Sequence, residues 1–227
     1  MGAVDPIPAA KEAGLQIAAG VWRRSGEAKV QADIDAIVSG IKAYPGTVMA
    51  VYVGNEDLAN GFDVITVASY VTRVRRALSA NGITDVPIGS VQRDLDFLHA
   101  PALADVCDVV GVFIYPYFGS SINAKVGGKA RLTETGWPTS GDFNGHVGST
   151  ELAKAYWHAY CTWSEARAGT TTPFYFQYRD VADKTRDYNA HFGLVEGSTS
   201  AWKFDAHATM SSTTPVVVHD SSMFDCS

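Results

Sequence analysis

A chain of 227 residues that is 46% hydrophobic and 19% charged can bury a substantial core, which excludes an intrinsically disordered protein. A formal net charge of −6, with no basic run of five, leaves no electrostatic footprint for nucleic acid or an anionic membrane surface. No segment reaches the roughly 18 consecutive apolar residues that a membrane-spanning helix needs.

In chain order, "LQIAAGVW" (15–22) predicts a strand and "EAKVQADIDAIVSGIKAY" (27–44) a helix, with Val30, Ile34, Ile37, Val38 and Ile41 on one face. "TVMAVYVG" (47–54) predicts a strand, and "FDVITVASYVTRVRRALSANG" (62–82) a helix that stops at Asn-Gly. "VPIGSV" (86–91) predicts a strand, followed by a short helix near 94–104. Strands follow at 108–118 ("DVVGVFIYPYF") and 130–135 ("ARLTET"), then a helix at 149–169 that closes at Gly169, then a strand at 173–178 ("PFYFQY").

Strands that are apolar throughout and separated by helices imply a parallel sheet covered on both faces. An open nucleotide-binding sheet would show a Gly-rich turn after an early strand, and "GVWRRSGEAK" has none. The expectation is therefore an α/β fold of the (β/α)8 TIM-barrel type. No repeat or linker splits the chain, so residues 1–227 are expected to form a single domain. Six strands against the barrel's eight suggest about six βα units, strands 3–8, with the N-terminal part lacking. On that count the strands at 15–22 and 173–178 would be apolar edges.

Barrel enzymes place their chemistry at the C-terminal ends of strands. Glu56 directly follows the strand 47–54, and Glu134 ends "ARLTE". Taken singly, each is an ordinary strand-end residue. Together they suit glycosidic bond cleavage, in which one carboxyl protonates the leaving oxygen and the other attacks the anomeric carbon.

The motifs around them, "VGNE" and "TETGWP", resemble the signatures of glycoside hydrolase family 17, the β-1,3-glucanases and related glucanosyltransferases. The likeness runs over about residues 5–204, through "PAAKEAGLQIAAGVW", "DVVGVFIYPYF", "YFQYRDVADK" and "HFGLVEGSTSAWKF". It implies a barrel, a retaining mechanism, Glu56 as acid/base and Glu134 as nucleophile. It further implies that Asn55 bonds the 2-hydroxyl of the cleaved sugar and that Tyr115 holds the nucleophile. Trp137 would offer a ring face to glucose, and Gln177 and Asp180 would line the substrate. The chain departs from the family pattern at Phe113, where an Asn is usual, and at Gln177, Val181 and Asp183, while Asp180 and Lys184 keep it.

The resemblance implies a β-1,3-glucan substrate, no cofactor, and an extracellular or wall-associated place. The start, "MGAVDPIPAAKEAG", shows no signal peptide. Two other functions stay open: a glucanosyltransferase using the same intermediate, and an inactive, truncated β-glucan-binding protein. Oligomeric state is not encoded in any visible motif. The histidines form no metal-binding pattern. Trp157, Tyr160 and Trp163 lie at helical spacing and read as helix packing. Phe174 and Phe176 could face core or cleft, and Asp57 reads as solvated or capping. Cys107, Cys161 and Cys226 allow one disulfide with a free thiol, or three reduced thiols.

Overall fold

A computed structural model describes residues 5–119, 129–165, 172–182 and 186–206. The chain divides into two compact units. The first comprises the residues up to Phe113 together with Lys129–Arg131; the second comprises Ile114–Gly119 and the described residues from Leu132 onwards.

The first unit opens with α1 (Pro6–Glu12) and continues with β1 (Ile17–Val21), α2 (Glu27–Ala43), β2 (Val48–Asn55), α3 (Val64–Ala80) and β3 (Ile88–Arg93). Two short helices, α4 (Asp94–His99) and α5 (Pro101–Asp105), lead to β4 (Val109–Phe113). The next strand, β5 (Ala130–Glu134), starts here, where the Val110 N–H donates to the Lys129 carbonyl at 2.9 Å. The sheet order is β1-β2-β3-β4-β5, and the first four strands pair in parallel. Sequential order with helical crossovers is the arrangement of a (β/α) barrel wall.

The packing follows from the apolar pattern. In β2, Ala50, Val51 and Val53 are wholly buried, as a strand covered on both faces requires. In α3, Val67, Val71, Val74 and Leu78 are wholly buried at helical spacing. Each such side chain contributes about 1.5–3 kcal/mol of apolar burial. Asp63 caps α3 by accepting the Thr66 N–H at 2.8 Å, and Asn81 ends it.

The helix expected near 94–104 is two helices, because Pro101 can neither donate a backbone bond nor let Ala100 stay helical. The strand expected over 108–118 stops at Phe113, and Pro116 leads a single 3-10 turn, Pro116–Phe118.

Close approach of β3 to β4 depends on Gly89, where a Cβ would lie 1.6 Å from the Val109 carbonyl oxygen. Gly89→Ala should therefore force the strands apart and cost about 3 kcal/mol, the upper range for overpacking. Urea titration should show the lowered midpoint; a wild-type midpoint would mean the strands adjust freely.

The second unit holds the end of β5, a hairpin of β6 (Asp142–Phe143) and β7 (His146–Val147), then α6 (Thr150–Glu165) and α7 (Asp187–Ala190). Residues 173–178, expected as a strand, form no regular strand and bend at Phe176 and Tyr178. Phe174 and Phe176 donate to the Leu132 and Thr135 carbonyls at 2.9 and 2.7 Å, as a next barrel strand would. At Gln177 the partner changes, and its N–H turns to the Phe192 carbonyl at 3.2 Å.

As the helical spacing suggests, Trp157 and Tyr160 pack inward from α6, in a cluster with Cys161, Tyr175, Leu194 and Ala206. The expected helix end at 166–169 lies outside the described residues, as do Asp183, Lys184 and Cys226. Cys107 and Cys161 are buried free thiols. Among the described residues, no helix is long and apolar enough to cross a membrane.

Candidate active site

In the first unit the site is built at the C-terminal end of β2. Gly54 turns the strand with a left-handed φ of 71°, and a Cβ there would lie 2.1 Å from the Asp57 carboxylate. Asn55 is buried, in register with Val91 of β3. Glu56 follows with φ 52°, a left-handed conformation uncommon for a residue other than glycine. It is held by its neighbours: the Glu56 N–H donates to the Val91 carbonyl at 3.0 Å. The Glu56 carbonyl accepts from the Asn60 backbone and side-chain amides at 3.0 and 2.8 Å.

A buried polar pair supports the loop beyond. Gln92 accepts from the Leu58 N–H at 3.1 Å and donates to Ser90 Oγ at 2.9 Å, and both side chains are wholly buried.

Burial raises the Glu56 pKa above the ordinary carboxylic value; Arg93 and Arg24 pull it down, and Asp96 pushes it up. Glu56 thus keeps its proton to higher pH than a solvated glutamate, as a general acid must. Arg93 itself is held by a two-pronged contact to Asp96, at 2.8 and 2.9 Å. Asp57 departs from the expectation of a solvated residue, because it is only 1% exposed. Burial raises its pKa too, against the guanidinium groups of Arg23 and Arg24, the latter with Nε at 3.8 Å.

In the second unit Glu134 ends β5 and is 6% exposed. The Tyr115 hydroxyl donates to its Oε2 at 2.8 Å, and the Tyr115 ring is fixed edge-on by Phe176 and Phe192 at 6.1 and 5.7 Å. The Glu134 carbonyl accepts from the Ile114 N–H at 3.1 Å. Thr135 Oγ1 donates to the Ile114 carbonyl at 2.7 Å, so the Tyr156 hydroxyl donates to Thr135. The nucleophile candidate is therefore held through both its carboxylate and its carbonyl.

Trp137 is half-buried in a group of rings with Tyr115, Tyr117, Phe143, Phe176, Tyr188 and Phe192. Of the two rings left open, Phe176 joins this group and Phe174 is buried in the core, while Tyr175 between them packs on the α6 side.

Gln177 is 1% exposed, and neither its side-chain Oε1 nor its Nε2 finds a protein partner. An unpaired buried amide costs about 1–3 kcal/mol, which fits a group kept for a ligand or water. Asp180, expected to line the substrate, is engaged within the second unit. Its carboxylate is occupied by Lys203 Nζ at 2.6–2.7 Å, the Gly193 N–H at 2.7 Å and His191 Nδ1 at 3.4 Å. It ties the closing segment to the 177–182 stretch. Glu134, Tyr115 and Trp137 thus share the second unit, whereas Asn55 and Glu56 belong to the first.

Residues 4–197 match the family model described as the BtgE/BtgC glycoside hydrolase domain. The chain belongs to this family. The BtgE/BtgC domain here is 31% identical over 168 residues to "Probable beta-glucosidase btgE" of Aspergillus fumigatus, covering 65% of this chain and 29% of that protein. It is 28% identical over 192 residues to "Probable glucan endo-1,3-beta-glucosidase eglC" of Aspergillus oryzae, covering 68% and 41%. The chain spans between 29% and 51% of the length of the curated relatives it matches. Among solved structures, an active-site mutant of the Rhizomucor miehei beta-1,3-glucanosyltransferase in complex with laminaritriose superimposes with a TM-score of 0.69. The identity is 19%, over 93% of this chain and 80% of that one. At that identity the match establishes the fold, a (β/α)8 barrel type, in agreement with the strand order.

Proposed function

We propose that this BtgE/BtgC domain cleaves β-1,3-linked glucan with retention of anomeric configuration. The observation that carries the reading is the Tyr115–Glu134 hydrogen bond at a buried strand end, which holds a carboxylate in one orientation. The names of the relatives, a beta-glucosidase and a glucan endo-1,3-beta-glucosidase, support the substrate class.

In this mechanism Glu134 attacks the anomeric carbon and forms an ester, while Glu56 gives its proton to the departing oxygen. Glu56, now a carboxylate, takes a proton from water, and the hydroxide attacks the anomeric carbon and releases Glu134. Asn55 would bind the 2-hydroxyl and Trp137 a ring face. A second sugar in place of water would give transfer instead, the reaction for which the solved Rhizomucor miehei glucanosyltransferase is named. A glucan-rich extracellular matrix or wall is the matching site of action.

Incubation with laminarin tests the reading. New reducing ends are expected; products longer than the starting oligosaccharide would mark transfer, and binding without any product would mark a lectin-like protein.

The alkaline limb of kcat/KM against pH should report Glu56 in the free enzyme. Arg93→Gln removes a positive charge that lowers the Glu56 pKa, so the limb should move to higher pH. Asp96→Asn removes a negative charge that raises it, so the limb should move to lower pH. Shifts in the same direction, or none, would take the acid role away from Glu56.

A further inference from the structure

The hairpin of β6 and β7 has no part in the two-carboxylate chemistry, yet it supplies much of the setting of Trp137. Its turn is Asn144-Gly145, with φ of 50° and 84°, the two left-handed residues of a type I′ turn. Such a turn twists with its strands and holds them stiffly. Asp142 pairs with Val147 and Phe143 with His146, and the Gly148 N–H closes the base on the Gly141 carbonyl at 2.7 Å.

Two hairpin residues then reach Trp137. The indole Nε1–H donates to the Val147 carbonyl at 3.1 Å. The His146 imidazole lies nearly parallel to the indole, at 22° with centroids 6.4 Å apart, an offset stack. His146 is itself pinned, with Nδ1 2.6 Å from the Tyr117 carbonyl oxygen. A carbonyl only accepts, so Nδ1 carries the proton and the ring orientation is set. Tyr117, wholly buried, meets the same indole edge-on at 5.2 Å.

We infer that His146 is a positioning residue that fixes the Trp137 ring as a glucan-stacking surface. The inference rests on the proposed role of Trp137 as a sugar platform. A freely rotating indole would have to be ordered by each incoming sugar, at a cost in side-chain entropy; one already stacked and hydrogen-bonded avoids it. His146 therefore acts on affinity more than on the chemical step.

The test uses His146→Ala, His146→Asn and Trp137→Ala, together with the His146→Ala/Trp137→Ala double variant. His146→Asn retains a donor for the Tyr117 carbonyl while removing the ring, so it separates loss of stacking from collapse of the hairpin. KM for laminari-oligosaccharides should rise about three- to tenfold in both His146 variants, the scale of one aromatic pair, with kcat within about twofold. The double variant should be no worse than Trp137→Ala alone, because His146 works through the indole. In the ligand-free protein, hydrogen exchange of the Trp137 indole N–H should quicken in both His146 variants. Unchanged indole exchange with an unchanged KM, or losses that simply add in the double variant, would overturn the inference. Should the wild-type protein not bind laminari-oligosaccharides, the proposed function fails, and the indole exchange still decides whether His146 orders Trp137.

Discussion

Glu134→Gln is expected to abolish glucan cleavage, with turnover lowered on the order of a thousandfold or more. The amide is nearly the same shape, so it can still accept the Tyr115 hydroxyl bond that the carboxylate accepts at 2.8 Å. What it lacks is a negatively charged oxygen able to form the glycosyl ester. Stability should change little and substrate should still bind, so the loss should lie in kcat. A laminarin assay with a matched thermal melt separates the two effects. A Glu134→Gln protein with near-normal turnover would remove the covalent mechanism.

Glu56→Ala should be nearly as damaging for natural glucan and much less so for an activated aryl glucoside. Protonation matters only where the leaving oxygen is a poor leaving group, and a nitrophenolate departs without it. The first step should then survive while the second slows, because no base remains to activate water. Added azide, which needs no base, should restore turnover and yield a β-glycosyl azide, the outcome of two inversions. Absence of rescue in a folded variant would place the acid elsewhere, and an α-azide would point to different chemistry.

The barrel character could be read from the chain because its strands are apolar on both faces and its helices keep a clean apolar stripe. Val51 and Val53 of β2 and Val67, Val71 and Val74 of α3 are wholly buried, as that periodicity demands. The strand-end positions of Glu56 and Glu134 could be read from the apolar runs that lead into them. Long-range charge and hydrogen bonding could not. The tie of Asp180 to Lys203 crosses more than twenty positions, and no local pattern announces it. The burial of Asp57 follows from the left-handed turn at Gly54, which folds the carboxyl back on the strand it has just left. The hairpin did carry a signal, Asn144-Gly145, but its two-residue strands are too short for an alternating pattern to form. Pro101 likewise marked the break between α4 and α5 in plain view.

The central claim is a retaining cleavage using one glutamate as nucleophile and another as acid/base. The anomeric configuration of the first-formed sugar tests it most directly, by proton NMR of a laminari-oligosaccharide digest followed faster than mutarotation. The β-anomer should appear first, with the α-anomer growing in later at the rate of spontaneous equilibration. An α-anomer formed first would mean a single inverting displacement, and Glu134 would not be a nucleophile.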